Sequence, residues 1–231
     1  MTDAGPFTLL FDGDDTLWAN NHHFELAIER FTRLVAGGAW TEAAARDELD
    51  RVEEAAWHSG GAGKDAFRRN MREAAANIVE PGRLTGVLEA VDAVITEMGT
   101  TEVRLIDDVV ETLDALAAHH RLGLVTRGDP AEQWAKIDAS GIADRFTHVE
   151  VVRDKDEATY RRLVAAWGVD TATGWMIGNS PRSDILPARA AGLRAVHIPN
   201  ASTWRLEHAE LDPADPGVLT LGRFRDLLRH F

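Results

Sequence analysis

The sequence predicts an α/β fold, a doubly wound parallel sheet with an all-helical segment inserted near its start. Three observations carry this expectation. Phe7-Thr8-Leu9-Leu10-Phe11 is a short apolar run that ends abruptly in acids, as suits a strand buried in a parallel sheet with its C-terminal end exposed. From Phe24 to about Gly99 apolar residues recur instead at spacings of three and four, the period of an amphipathic helix. After Val103 short apolar runs alternate with helical patterns, the order of right-handed βαβ units.

Taken in order, the helical stretches run from Phe24 to Ala36, Thr41 to His58, Asp65 to Asn77 and Leu84 to Met98. They are broken by Gly37-Gly38 and by Gly60-Gly61-Ala62-Gly63. Beyond them, Val109 to His119 reads as a helix and Leu122 to Val125 as a strand ending at Thr126. Asp129-Pro130-Ala131-Glu132 then holds three helix-start signals: a capping acid, proline at the first position and glutamate at the third. Further strands are expected at Thr147 to Val152, Trp175 to Ile177 and Ala195 to Ile198. Helices are expected at Asp156 to Trp167 and from about Ser183 to Ala191, where Gly192 closes the last one. Pro213 to Gly217 reads as a loop before a final short strand and a helix from Phe224 to His230. In such a sheet the ligand lies beyond the carboxyl ends of the strands.

Composition narrows the function. Apolar residues make up 45% of the 231, enough for a sizeable core. A net charge of -13 gives no electrostatic reason to bind nucleic acid or an anionic membrane, so any phosphate must meet local positive charge or a metal. The absence of cysteine excludes disulfides, thiolate metal sites and cysteine nucleophiles, and fits a reducing cytosol. Met1 to Pro6 contains no basic residue, and nowhere do about 18 apolar residues occur together, so the chain reads as soluble, untargeted and cytoplasmic.

The chemistry is expected at Asp12-Gly13-Asp14-Asp15-Thr16, directly after the first strand. Two carboxylates as close as Asp12 and Asp14 do not both stay ionised cheaply without a cation between them or a proton on one. Magnesium resolves the repulsion. Asp12 can then attack phosphorus in line, while Asp14 protonates the leaving oxygen and later activates water. The plainer alternative is an acidic turn that caps a helix through Asp15 or Thr16.

Phe11 to Leu17 resembles the first motif of the haloacid dehalogenase superfamily, an apolar strand followed by Asp-x-Asp-x-Thr. The resemblance implies a Rossmann-like core with Asp12 as nucleophile, Asp14 as acid/base and the main-chain carbonyl of Asp14 as a metal ligand. Phosphatases and phosphomutases of that family have an aspartate at the position of Asp14, where dehalogenases and phosphonatases lack one, because an alkoxide leaving group needs a proton. Thr126 resembles the second motif, a strand closing in Ser or Thr whose hydroxyl holds the transferring phosphoryl. Arg127 stands where the family usually has asparagine, and either adds a phosphate contact or lies on the surface. Lys155, just before a helix, matches the lysine of the third motif, whose cation offsets the charge of Asp12 and the phosphoryl oxygens.

Trp175 to Ile185 resembles the fourth motif, apolar strand, Gly-Asp, four residues, Asp. Asp184 is present and is implied as a metal ligand; Asn179 replaces the first acid and can still offer a neutral oxygen to magnesium or to a bound water. The ordered motifs imply a catalytic core of residues 1–19 and 100–231 and a helical cap domain of residues 20–99 that supplies specificity. Within the cap no motif matches; His22, His23, Lys64, Arg68 and Arg69 are the candidate contacts, and Trp18, which follows the catalytic loop, could face the cap. The expected reaction is magnesium-dependent hydrolysis of a small phosphorylated metabolite through a phospho-aspartyl intermediate, by a monomer or homodimer. The alternatives are a phosphomutase, another hydrolase of the same family, or a non-catalytic member that binds a phosphorylated ligand.

Overall fold

The computed structural model describes residues 6–57, 63–98 and 103–231. Most of the N-terminal stretch Met1 to Pro6, the expected helix end at His58, Gly60 to Ala62 of the glycine turn and the expected domain boundary at 99/100 lie outside the described residues. The chain divides into two compact units, Met1–Asn21 with Val103–Phe231, and His22–Glu102. In chain order β1 (Thr8–Phe11) and β2 (Trp18–Ala19) are followed by four helices, α1 (Asn21–Val35), α2 (Glu42–Ala56), α3 (Lys64–Ile78) and α4 (Pro81–Glu97). Then come β3 (Arg104–Leu105), α5 (Val109–Ala117), β4 (Arg121–Arg127), α6 (Pro130–Ser140), β5 (His148–Val152) and α7 (Glu157–Trp167). The chain finishes with β6 (Gly174–Gly178), α8 (Leu186–Ala190), β7 (Arg194–His197) and β8 (Val218–Thr220).

The first unit is a six-stranded parallel sheet in the order β5-β4-β1-β6-β7-β8. Strand order reverses between β1 and β6, so the loops after these two strands flank the crevice where ligands of such sheets bind. Both faces are covered, and β1 shows how. Leu9 and Phe11 join a cluster with Val109, Leu113 and Leu116 of α5, Ile137 of α6, and Phe224 and Leu227. Leu10, pointing the other way, joins Tyr160 of α7, Met176 and Ala188 of α8. A strand buried on both sides must be apolar throughout, which is why Leu9, Leu10 and Phe11 show no polar alternation. Each is fully buried and contributes about 1.5–3 kcal/mol of hydrophobic stabilisation.

Helix starts follow their signals. The Asp129 carboxylate accepts the Glu132 N–H at 3.0 Å, and Asp156 accepts the Thr159 N–H at 2.8 Å. Two expectations need correction. The last helix is a 3₁₀ segment, Phe224–Arg229, whose turns close by bonds to the third residue back, from Asp226 N–H to the Arg223 carbonyl at 3.0 Å and from His230 N–H to the Leu227 carbonyl at 2.9 Å. The helix expected from Ser183 opens instead as a wide π turn, Pro181–Ile185, before α8. The pair β2 and β3, antiparallel at Trp18 with Leu105, was not foreseen.

The second unit has its own core, from Ala27, Ile28, Phe31 and Val35 of α1, Ala45, Leu49 and Val52 of α2, Phe67, Met71, Ala74, Ala75 and Ile78 of α3, and Val87, Val91, Val94 and Ile95 of α4. These repeats of three and four are the stripe of an amphipathic helix. Among the described residues no helix is long and apolar enough to cross a membrane.

Candidate active site

Phe11 ends the central strand and hands the chain to Asp12, whose N–H donates to the Ile177 carbonyl of β6 at 2.9 Å. The Gly13 carbonyl then accepts from the N–H groups of Thr16, Leu17 and Trp18, which folds the loop back on itself. A Cβ at Gly13 would lie 2.6 Å from Trp18 Cζ2, so the indole needs glycine beneath it. Asp15 takes the left-handed conformation (φ 62°), and its carboxylate accepts the N–H groups of Asn20 at 2.9 Å and Asn21 at 3.2 Å, capping α1. Burial pushes the Asp15 carboxyl up to about 6 despite these amides. Helix capping thus belongs to Asp15, and Asp12 and Asp14 turn to other partners.

Lys155, from the loop after β5, donates to Asp12 Oδ1 and, at 2.7 Å, to Asp184 Oδ1. All three side chains are buried, with 2% of Lys155, 9% of Asp12 and 1% of Asp184 exposed. One ammonium between two carboxylates leaves a net negative charge in a buried space. Burial, and next the charge of Asp184, push the Asp12 carboxyl up to about 7 against the pull of Lys155. Burial raises Asp184 as well. Burial also works against the charge on Lys155, but the two carboxylates outweigh it and hold the ammonium above its ordinary value. Asp184 Oδ2 accepts the Ser180 N–H at 3.0 Å. A Cβ at Gly178 would stand 2.2 Å from that oxygen, so the glycine ending β6 makes room for Asp184.

Asp14 faces a different set. Its Oδ1 accepts the Trp18 indole N–H at 2.6 Å and Lys136 Nζ at 2.8 Å; its Oδ2 accepts Gln133 Nε2 and Lys136 Nζ, each at 2.9 Å. Thr126 is fully buried and its hydroxyl donates to Gln133 Oε1 at 3.1 Å. Arg127 bonds Glu207 Oε1 at 2.7 Å, and the same carboxylate accepts the Ser180 and Ser183 hydroxyls at 2.5 Å each, tying the loops after β4 and β6 together. Asn179 accepts the Thr16 hydroxyl at Oδ1 and donates from Nδ2 to Thr203 Oγ1 at 2.8 Å, so both ends of its amide are used in the loop scaffold.

Trp18 does not lie open to a substrate: it is 1% exposed and belongs to the core cluster of the first unit. Lys64 and Arg68 stand in the first turns of α3 in the second unit, where Arg68 faces Asp65 at 3.7 Å. His22, His23 and Arg69 also belong to that unit. Gln133, Lys136 and Glu207 are polar partners that sequence reasoning missed. The first two follow the capped start at Asp129 and are three apart, which places them on one helix face; Glu207 carries no periodic signal.

Among the described residues no three His, Asp or Glu side chains gather to hold a metal ion. Magnesium asks for less, since it keeps several waters and accepts main-chain and amide oxygens beside one or two carboxylates. Asp12 and Asp184, buried and one positive charge short, fit such a cation.

A family model described as haloacid dehalogenase-like hydrolase matches residues 8–192, from β1 past Asp184 to the end of α8 and Gly192. The chain belongs to this family. Over 82 residues it is 34% identical to a glyceraldehyde 3-phosphate phosphatase of Pyrococcus abyssi and 33% identical to a phosphoserine phosphatase of Thermus thermophilus. These matches take in 33% of this chain and 34% and 33% of the relatives, so the chain spans about a third of the length of the curated relatives it matches. A haloacid dehalogenase-like family hydrolase from Xanthomonas campestris superposes with a TM-score of 0.79 at 24% identity, over 98% of this chain and 96% of that one. A predicted phosphoglycolate phosphatase from Haemophilus somnus gives 0.64 at 19%, over 97% of both chains. These two likenesses concern the fold, the family's α/β core. Thr203 and Glu207 fall beyond the matched residues.

Proposed function

We propose that this chain is a magnesium-dependent phosphatase that hydrolyses a small phosphorylated metabolite through a phospho-aspartyl intermediate on Asp12. The observation that carries the reading is the buried trio of Asp12, Lys155 and Asp184 at the end of the central strand, one positive charge short, with Asp14 two residues on. The curated relatives, named as phosphatases, support the reaction class.

Asp12, Asp184 and the main-chain carbonyl of Asp14 would hold the cation, beside Asn179 or water. When bound, magnesium supplies positive charge to the phosphoryl oxygens and offsets the repulsion between the carboxylates and a phosphate dianion. Lys155 bonds Asp12 Oδ1, which in this reading leaves Oδ2 for the attack. In the first half-reaction that oxygen bonds to phosphorus as the bond from phosphorus to the ester oxygen breaks, and Asp14 gives a proton to the departing oxygen. In the second, water attacks the same phosphorus, Asp14 takes its proton, and the bond to Asp12 breaks to release inorganic phosphate. The Thr126 hydroxyl, turning from Gln133 Oε1, and Lys155 serve the phosphoryl oxygens; Arg127, held by Glu207, serves the loops. The helical unit acts as the cap that selects the substrate. The partner is a small molecule and neither nucleic acid nor membrane, the working form a cytoplasmic monomer or homodimer.

The test is a screen of phosphorylated metabolites with magnesium, with Asp12→Asn as control. Phosphate release by the natural protein and its loss in Asp12→Asn is the expected result; wild-type turnover by Asp12→Asn overturns the mechanism.

A further inference from the structure

Helix α6 reaches Asp14 with two side chains one turn apart. Gln133 Nε2 donates to Oδ2 at 2.9 Å, and Lys136 Nζ spans Oδ1 and Oδ2 at 2.8 and 2.9 Å. With the Trp18 indole on Oδ1 at 2.6 Å, both carboxylate oxygens are engaged and one rotamer is held from three sides. The two α6 side chains bond Asp14, Thr126, the Arg127 carbonyl and Asn20, and neither bonds Asp12 or Asp184.

Local features put them there. Asp129 caps the helix, and Gly128 clears a path, since a Cβ at that position would lie 2.6 Å from Gln133 Nε2. Gln133 is 3% exposed and divides its amide between two groups of the site. Its Oε1 accepts the Thr126 hydroxyl at 3.1 Å while its Nε2 donates to Asp14. Lys136 directs its third N–H to Asn20 Oδ1 at 2.7 Å, so the three hydrogens of the ammonium all meet oxygens of its own fold.

We infer that Gln133 and Lys136 are positioning residues for Asp14: their contacts hold its carboxylate ionised in one rotamer, and Lys136 releases one oxygen when Asp14 carries the proton it delivers to the leaving group. The inference rests on the phosphatase reading above, in which Asp14 serves the leaving group. Unheld, an aspartate samples several staggered wells about its first side-chain torsion, and proton transfer succeeds only from the one within hydrogen-bond reach of the departing oxygen. A clamp that selects this well acts on the chemical step and leaves substrate binding alone.

Steady-state kinetics of Lys136→Met, Lys136→Arg and Gln133→Glu decide it, each on the best alkyl phosphate from the screen and on 4-nitrophenyl phosphate. An alkoxide needs the proton and a nitrophenolate does not. Lys136→Met and Gln133→Glu are therefore expected to lose about tenfold or more kcat on the alkyl phosphate beyond any loss on the aryl one, with KM moving about twofold at most. Gln133→Glu keeps the shape but sets a carboxylate against Asp14. Lys136→Arg recovers part of the alkyl activity. Equal losses on both substrates mark a structural role and overturn the inference, as does full retention of alkyl activity in Lys136→Met. Should Gln133→Glu melt below the assay temperature, Lys136→Met decides alone, its side chain being partly exposed at 19%. A wild-type protein that hydrolyses neither ester, or an Asp12→Asn protein that hydrolyses both, brings down the phosphatase reading itself and the inference with it.

Discussion

Thr16 and Asn179 hold each other through one hydroxyl, which donates to Asn179 Oδ1 at 3.2 Å and accepts the Asn179 backbone N–H at 3.0 Å. This pair joins the loops after β1 and β6, the two that flank the reversal of strand order. Asn179→Asp keeps the acceptor for Thr16, and Thr203 can turn its hydroxyl to donate, so the exchange adds a charge with little loss of hydrogen bonding. In a site already one positive charge short, the metal-free variant should melt at a lower temperature. Magnesium should bind it more tightly, by on the order of 1–3 kcal/mol. Calorimetric titration of both proteins checks this, and equal affinities would leave Asn179 a scaffold residue only.

In the absence of metal, ionising Asp12 costs stability. Its folded value of about 7 stands above its ordinary 3.8, as does that of Asp15 at about 6. Raised carboxyls bind protons more tightly in the native state, so their contribution is full below about pH 4 and lost as pH rises to about 7. The stability of the natural protein minus that of Asp12→Asn, measured by urea unfolding with EDTA present, should fall across this window. A difference that grows with pH would contradict the electrostatics of the trio.

Asp14→Asn removes the proposed proton carrier and keeps the shape. Turnover of alkyl phosphates should drop by about 10²-fold or more, and that of 4-nitrophenyl phosphate by less. A stopped assay on the two substrates side by side gives the ratio; an unchanged ratio would remove Asp14 from leaving-group protonation.

Gly178→Ala tests how Asp184, the proposed metal ligand, is seated. The new methyl would fall 2.2 Å from Asp184 Oδ2, so either the strand end or the carboxylate must move. Overpacking of this kind costs about 1–3 kcal/mol, and displacement of Asp184 should weaken magnesium binding as well. Thermal melts with and without magnesium measure both, and a variant equal to the natural protein in each would mean the loop yields freely.

Much of this was legible in the residues because the strands announce themselves. Phe7 to Phe11, Leu122 to Val125 and Trp175 to Ile177 are apolar runs with acids, threonine or glycine at their ends, and parallel burial explains both features. What resists reading is whatever depends on convergence across the chain. Lys136 and Gln133 look like ordinary polar residues on a surface helix until α6 is set beside the loop after β1, and Glu207 lies in a stretch without period. Trp18 is likewise an aromatic near the site by sequence, and only the absent side chain of Gly13 shows why it packs inward. The π turn holding Asp184 and the 3₁₀ end at Phe224 escape because hydrogen-bond spacing, unlike burial, leaves a faint trace in composition.

The strand that leads to Asp12 pairs only with strands far along the chain. β1 forms its ladders with β4, beginning at Arg121, and with β6, beginning at Gly174, both on the far side of the inserted helices. Helices α1 to α4 have their core partners close in sequence, whereas the partners of β1 lie more than a hundred residues away, so the sheet carries the larger cost of loop closure. In a refolding experiment helical signal should return ahead of the pairing of β1, because both partners of the strand that ends at Asp12 are distant in sequence.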